Sequence, residues 1–153
     1  MSEIVKDIAE CVELVANLSN AVEKGSEIAS GFRTRARSIP SVLFANGFTY
    51  TVTLLAARSS RSLIELGFRD NCKAIVDEAV KMFNEKKLDK EEMSYGLYGA
   101  ILVHILRKMG AIKTSNFKDL VTESITNTAL DLKAWQVVEW LKRFAEAFIE
   151  EKK

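Results

Sequence analysis

The chain of 153 residues carries 22 Lys and Arg against 21 Asp and Glu, a formal net charge of +1, and 48% of its residues are hydrophobic. A chain of this length buries about 70% of the surface that its unfolded form exposes, which excludes disorder as the main state. One proline and seven glycines are too few to punctuate a β-sandwich. We therefore predict an all-α protein, a single compact helical bundle over residues 1–153 with about five to six helices around a central uncharged helix.

The first segment has the spacing of an amphipathic helix, because apolar residues recur at steps of three and four with charged residues between them. These apolar residues are Ile4, Ile8, Cys11, Val15, Leu18 and Val22. We expect the helix to end near Gly25, and a connector containing Gly and Ser to follow as far as Ser38.

Residues 39–57 contain no charged side chain. Ser38 and Pro40 suit a helix start, since Ser caps free N–H groups and proline is tolerated in a first turn. Several Ser, Asn and Thr residues make the stretch too polar for a good membrane span, so we predict a helix enclosed by others. Gly47 inside it indicates a close approach by a neighbouring helix.

Four more helices follow, at about residues 70–87, 91–109, 116–126 and 128–150. Asp70 is the expected cap of the first of these, and Gly110 the expected stop of the second.

The two cysteines, Cys11 and Cys72, lie 61 positions apart. This spacing favours small buried residues in a reducing compartment over a disulfide framework. The first residues mix charges of both signs, unlike a signal peptide. We expect a cytoplasmic protein that does not insert into a membrane.

The residues for catalysis or metal binding are sparse. His104 is the only histidine, and its mid-helix position between apolar neighbours favours a packed side chain over a general base. Usual zinc and di-iron ligand sets need more histidines or clustered cysteines. We therefore expect no enzyme activity, no cofactor and no metal. A helical enzyme that uses paired carboxylates is a disfavoured alternative.

Charge is segregated along the chain, because residues 28–64 contain five arginines and no Lys, Asp or Glu. Arginine forms bidentate contacts with phosphate and stacks on bases, so the pattern favours a nucleic-acid contact. A continuous helix would hold the two arginine groups about 25 Å apart. The alternative is ordinary pairing with acidic faces of neighbouring helices. The arginines are Arg33, Arg35, Arg37, Arg58 and Arg61.

Aromatic residues accompany the arginines. Phe32, in the predicted connector, is the one expected to be exposed and to stack on bases, whereas Phe44, Phe48 and Tyr50 are expected in the core.

The last helix carries Trp135, Trp140, Phe144 and Phe148 on more than one face, which indicates packing between helices or a partner surface. Lys142 has no acidic residue four positions before it, and Arg143 is expected to pair with Glu139.

Two stretches together resemble a known family. Ala36-Arg37-Ser38-Ile39-Pro40 is followed by Asn46-Gly47-Phe48, and Trp140-Leu141-Lys142-Arg143-Phe144-Ala145-Glu146-Ala147 lies near the C-terminus. Their order and spacing, and the chain length, resemble the small helical subunit of the Cmr complex, the type III-B CRISPR RNA-guided effector.

The resemblance implies a non-catalytic helical subunit that stacks in more than one copy along a ribonucleoprotein filament. It implies contacts with the other Cmr subunits and with the backbones of guide RNA and single-stranded target RNA, while base pairing reads the sequence. It assigns Arg37, Lys142 and Arg143 to the RNA contact; the other four arginines come from charge pattern alone. The alternative is a helical protein-interaction module that binds an acidic partner without RNA.

Overall fold

The computed structural model describes residues 2–150, and every regular element in that range is a helix. The all-α prediction is therefore confirmed. The elements are α1 (Ser2–Ala21), α2 (Gly25–Ala57), α3 (Arg61–Glu65), a 3₁₀ turn (Leu66–Phe68), α4 (Cys72–Asn84), α5 (Lys90–Lys108), α6 (Phe117–Thr126) and α7 (Thr128–Phe148).

Local capping sets most of the helix starts. Asp89 and Glu92 form a reciprocal capping box at the start of α5, and Asn116 caps α6 through the Asp119 N–H. Asn71 caps α4, one residue later than the predicted Asp70. The short helix α3 is absent from the sequence prediction, because five residues are too few to show a helical period.

The predicted connector between Gly25 and Ser38 is wrong, because these residues form the first turns of α2. Ile28, Phe32 and Ile39 are buried on one face of this helix, so apolar burial outweighs the Gly and Ser content. Pro40 accordingly lies inside the helix rather than at its start.

Gly47 divides α2 into a first half, residues 25–46, and a second half, residues 48–57. Its φ of 84° and ψ of 174° are not helical and belong to a region that essentially only glycine occupies. The Phe48 N–H donates to Asp131 Oδ1 at 2.8 Å, which caps the second half from α7. A Cβ at Gly47 would meet nothing closer than 3.6 Å, so glycine is needed for its backbone angles and not for the predicted close approach.

The most enclosed helix is α5, and not the uncharged stretch 39–57. Every residue from 96 to 106 is buried, and α1, α2, α3, α4 and α7 all pack against this helix. Gly96 permits the closest contact, since a Cβ there would overlap the Ser59 hydroxyl and press on Leu63. The helix α2, which contains the uncharged stretch 39–57, packs beside α5 as a second core helix.

Within residues 2–150, α2 alone is long and apolar enough by length and composition to cross a membrane. Its apolar residues pack on α1, α5 and α7, and its helix is interrupted at Gly47. Packing inside the bundle accounts for its composition.

Cys11 on α1 and Cys72 at the start of α4 form a disulfide, with their Cα atoms 5.3 Å apart. The expectation of two unpaired cysteines is therefore wrong, although both are buried as predicted. The sequence gives no sign of the pairing, because the packing of α1 on α4 brings together residues 61 positions apart.

Replacing Gly47 by Ala forces a side chain into the glycine-only region, and we expect the free energy of unfolding to fall by about 1–3 kcal/mol. Urea denaturation measures the change. Gly110→Ala is the companion variant, because Gly110 also has a positive φ, of 74°, with open space around it, so it should lose stability for the same backbone reason. Unchanged stability of Gly47→Ala would contradict this account.

Removing the disulfide with the double variant Cys11→Ala/Cys72→Ala should lower the free energy of unfolding by about 2–4 kcal/mol, since the bond closes a long loop in the unfolded chain. Denaturation with and without a reductant checks this. The reductant should destabilise the wild-type chain and leave the double variant unchanged; equal stability of the wild-type chain in both conditions would sink the prediction.

Candidate nucleic-acid interface

The first half of α2 runs antiparallel to α7. Arg37 pairs with Glu146, the rings of Phe44 and Trp135 lie 5.4 Å apart, and the Gly47 break meets Asp131. This register brings residues 36–40 and 140–147 together, although about two thirds of the chain separates them.

Five of the predicted basic residues lie on this pair of helices, and three of them, Arg37, Lys142 and Arg143, lie where the two helices meet. We call these three the α2–α7 basic surface. Arg37 Nε lies 3.3 Å from one oxygen of Glu146, and Arg143 Nη1 lies 3.1 Å from the other. Their side chains are 50% and 64% exposed. Two cations thus share one carboxylate, which leaves the surface with excess positive charge.

The ion pair of Arg143 differs from the predicted one. It pairs with Glu146, three positions after it, whereas Glu139 lies beside Lys142 in a cleft. The cleft has a volume of about 360 Å³. Its lining residues are Pro40, Ser41, Phe44, Trp135, Glu139 and Lys142.

A second group of basic residues surrounds Tyr95 on α5. The Arg35 guanidinium lies 4.4 Å from the centre of the tyrosine ring and donates to its hydroxyl, and Arg58 lies 6.0 Å from the same ring. Arg58 also lies 4.0 Å from Glu91. The predicted separation of the arginine groups at opposite ends of one helix is therefore wrong, because the break at Gly47 bends the helix, so that Arg58 joins Arg35 beside Tyr95.

The remaining two arginines belong to neither group. Arg61 lies 3.8 Å from Glu65 and 5.9 Å from the Phe117 ring. Arg33 precedes Arg37 by one helical turn, and its Nε is buried without a hydrogen-bond partner. The seven predicted residues thus form two groups and two separate positions rather than one patch. Four of them pair with carboxylates, and two of these four, Arg37 and Arg58, pair with a neighbouring helix as the alternative interpretation expected.

The predicted exposure is wrong for three of the four aromatic residues near the arginines, and right for Phe48. Phe32 is fully buried, with its ring 5.7 Å from that of Tyr98, because the helix turns it toward α5. Phe44 and Tyr50 are 79% and 52% exposed instead of lying in the core, and Phe48 is buried as predicted. Phe44 lies about 140° around the helix from the buried Ile39, so a helical wheel of this stretch is the signal that places it outside.

The outer edge of α7 carries a stack of aromatic rings. Trp140, Phe144 and Phe148 follow each other with ring centres 5.4 Å apart, and Trp140 and Phe148 are exposed. This confirms the prediction that the last helix has aromatic residues beyond its buried face. We call Trp140, Phe144 and Phe148 the aromatic edge.

His104 is buried on α5, as predicted, and its Nδ1 accepts a hydrogen bond from Arg107 at 3.1 Å. Burial, with the nearby charges of Arg107 and Lys108, lowers the pKa of His104 to about 4, so the ring is neutral at pH 7. The two cysteine sulfurs and a ring nitrogen of His104 lie within 4.8 Å of one another. No spacing in the sequence marks this cluster, because its members come from three helices.

The comparisons with known proteins give the family and the fold of this chain. The sequence profile of the family described as CRISPR-associated protein (Cas_Cmr5) matches residues 2–148. The chain belongs to this Cmr5 family. The resemblance noted from residues 36–48 and 140–147 is thereby confirmed over nearly the whole length of the chain.

Two solved structures share the fold of this Cmr5-family chain. A chain from the cryo-EM structure of type III-B Cmr-beta bound to cognate target RNA and AMPPnP is 20% identical, with a TM-score of 0.70 over 99% of both chains. One from the type III-B Cmr-beta complex bound to non-cognate target RNA is also 20% identical, with a TM-score of 0.67 over 97% of both chains. No curated protein matches the sequence.

Proposed function

We propose that this Cmr5-family chain is a non-catalytic small subunit of a type III-B Cmr effector and contacts the backbone of guide or target RNA through the α2–α7 basic surface. Family membership supports the assignment to a CRISPR effector. The solved chains of the same fold come from Cmr-beta complexes bound to target RNA. The observation that carries the RNA contact is the meeting of Arg37, Lys142 and Arg143 on one pair of helices.

The chemistry of these side chains suits a phosphate backbone. A guanidinium group has five N–H donors and binds phosphate in a bidentate manner. Arg37 and Arg143 direct one nitrogen each at Glu146, and both remain at least half exposed. Each can therefore donate further hydrogen bonds to an anion that approaches from solvent.

The Tyr95 group, Arg33 and Arg61 are a second part of the same proposal, from charge pattern. Arg35 and Arg58 offer guanidinium planes beside an aromatic ring, an arrangement that suits a phosphate or an unstacked base. In the proposed complex the subunit contacts the RNA backbone, and base pairing between guide and target RNA recognises the sequence.

The assembly we propose contains more than one copy of the chain, stacked along the RNA next to the other Cmr subunits in the cytoplasm. The aromatic edge supports a protein contact, because an exposed apolar patch on a folded surface marks an interaction site. Repetition matters for affinity, since linked weak sites raise the effective concentration without new contacts.

The second candidate function is a protein-interaction module that binds an acidic partner without RNA. The aromatic edge beside Arg143 favours it, because aromatic residues and Arg are enriched in protein interfaces. In that case the basic side chains would meet carboxylates of the partner.

Reversing the charge at Arg37, Lys142 and Arg143 to Glu should weaken binding to single-stranded RNA and flatten its salt dependence. The slope of log K against log salt should fall by about 0.7 for each phosphate that the surface no longer neutralises, or about 2 in total. Fluorescence anisotropy at several salt concentrations measures both quantities.

The matched control reverses Lys73, Lys81 and Lys87, which are exposed cations of α4 and the turn after it. Glu146→Gln adds an opposite test: it removes the carboxylate that both arginines contact, so RNA binding should become tighter. An unchanged slope in the first triple variant would rule out this surface as the RNA contact.

Replacing Trp140 and Phe148 by Ser should reduce self-association on RNA by about tenfold or more, since loss of an interface aromatic costs about 1–2 kcal/mol or more each. Analytical ultracentrifugation with and without single-stranded RNA measures it. Ile125→Ser is the control, because Ile125 is an exposed apolar residue on α6. Assembly that needs no RNA and resists salt would favour the protein-interaction module.

A further inference from the structure

The strongest cluster of metal-ligating side chains outside the RNA surface lies where α1, α4 and α5 meet. We propose that Cys11, Cys72 and His104 bind a single Zn²⁺ ion when the Cys11–Cys72 disulfide is reduced. Each helix contributes one buried donor, and the three donor atoms lie within 4.8 Å of one another. The proposal does not depend on RNA binding.

The donor set matches zinc chemistry. Two thiolates and one imidazole are soft and borderline ligands that zinc prefers, and sites with two Cys and one His leave a fourth position for water. Ligand atoms of a tetrahedral zinc site are about 3.5–3.8 Å apart, from Zn–S and Zn–N distances of about 2.3 and 2.0 Å. Donors already within 4.8 Å need side-chain rotation rather than a shift of whole helices.

The charges around the cluster also suit a metal. A ring nitrogen of His104 is the third donor. Nδ1 now accepts a hydrogen bond from Arg107 at 3.1 Å, so ligation through Nδ1 displaces that bond, and Arg107 keeps its bonds to the Gly67 and Asp70 carbonyl oxygens. Two thiolates balance the charge of Zn²⁺, so the buried centre is neutral beside Arg107 on α5. Lys108, from the same helix, is paired at 3.0 Å with Asp7 of α1, and the loop before α4 presents the Asp70 backbone carbonyl to Arg107.

The disulfide and the metal site are alternatives. A dithiol reductant transfers two electrons and two protons to the disulfide; the S–S bond breaks, two thiols form, and the reductant becomes a disulfide itself. Zn²⁺ then displaces both thiol protons to solvent as two Zn–S bonds form. In either state α1 and α4 stay joined, by a covalent bond or through the ion.

Cobalt is the probe, because Co²⁺ bound to thiolates in a tetrahedral site gives visible bands that Zn²⁺ then removes. The purified full chain is titrated with Co²⁺ in two forms, oxidised and reduced with a phosphine. We expect one equivalent bound by the reduced chain and none by the oxidised chain. Native mass spectrometry with Zn²⁺ should give the same stoichiometry.

Variants identify the ligands. Cys11→Ser and Cys72→Ser should remove the thiolate bands of the native site. His104→Gln should weaken Co²⁺ binding by more than about tenfold, since a change in a residue that only orients a metal ligand already costs that much. Asp77→Asn on the exposed side of α4 is the control and should bind like the wild-type chain.

Three outcomes would overturn the proposal. The first is a folded, reduced wild-type chain that binds neither Co²⁺ nor Zn²⁺. The second is binding that is unchanged in His104→Gln. The third is a reduced chain that unfolds, judged by circular dichroism, and is not refolded by Zn²⁺.

Discussion

The rest of the structure depends on one hydrogen bond at a broken helix, from the Phe48 N–H to Asp131. A helix that breaks leaves backbone donors without partners, and a side-chain acceptor can take the place of the missing carbonyl. Asp131 on α7 supplies it, and Gly47 supplies the backbone angles. The first half of α2 packs on α7 through Arg37 and on α5 through Phe32. The break bends the helix, so that Arg58 at the end of the second half joins Arg35 beside Tyr95 of α5.

Much of the fold follows from local patterns that the sequence displays. The starts and ends of α5, α6 and α7 lie within about two residues of their predicted positions, the usual uncertainty of helix ends. The largest error in the predicted helix boundaries concerns α2. Gly25, Ser30 and Gly31 are typical of a connector, although the apolar period continues through them. The sequence marks Gly47 as a special position in α2, but the predicted reason is wrong. A glycine can serve either a close helix contact or a positive φ, and the sequence alone does not distinguish the two.

The candidate site was predictable in composition and not in arrangement. Arginine segregation marked Arg35, Arg37 and Arg58, yet only the fold shows that Arg35 and Arg58 share Tyr95 while Arg37 shares Glu146 with Arg143. These are contacts between helices distant in sequence, which periodicity along one helix does not encode. The same limit applies to the cysteines, whose spacing does not encode the helix packing that joins them.

The disulfide also changes the covalent connectivity of the chain. Residues 11–72 form a closed ring that contains the end of α1, all of α2 and all of α3. A protease that cuts at the turn around Lys24, where the backbone is left-handed and exposed, opens the ring without releasing a fragment. The two pieces still migrate as one molecule until a reductant is added. A nick in the turn between α1 and α2 therefore leaves α1 tethered to the rest of the bundle by the disulfide in an oxidising medium and held by packing alone in a reducing one.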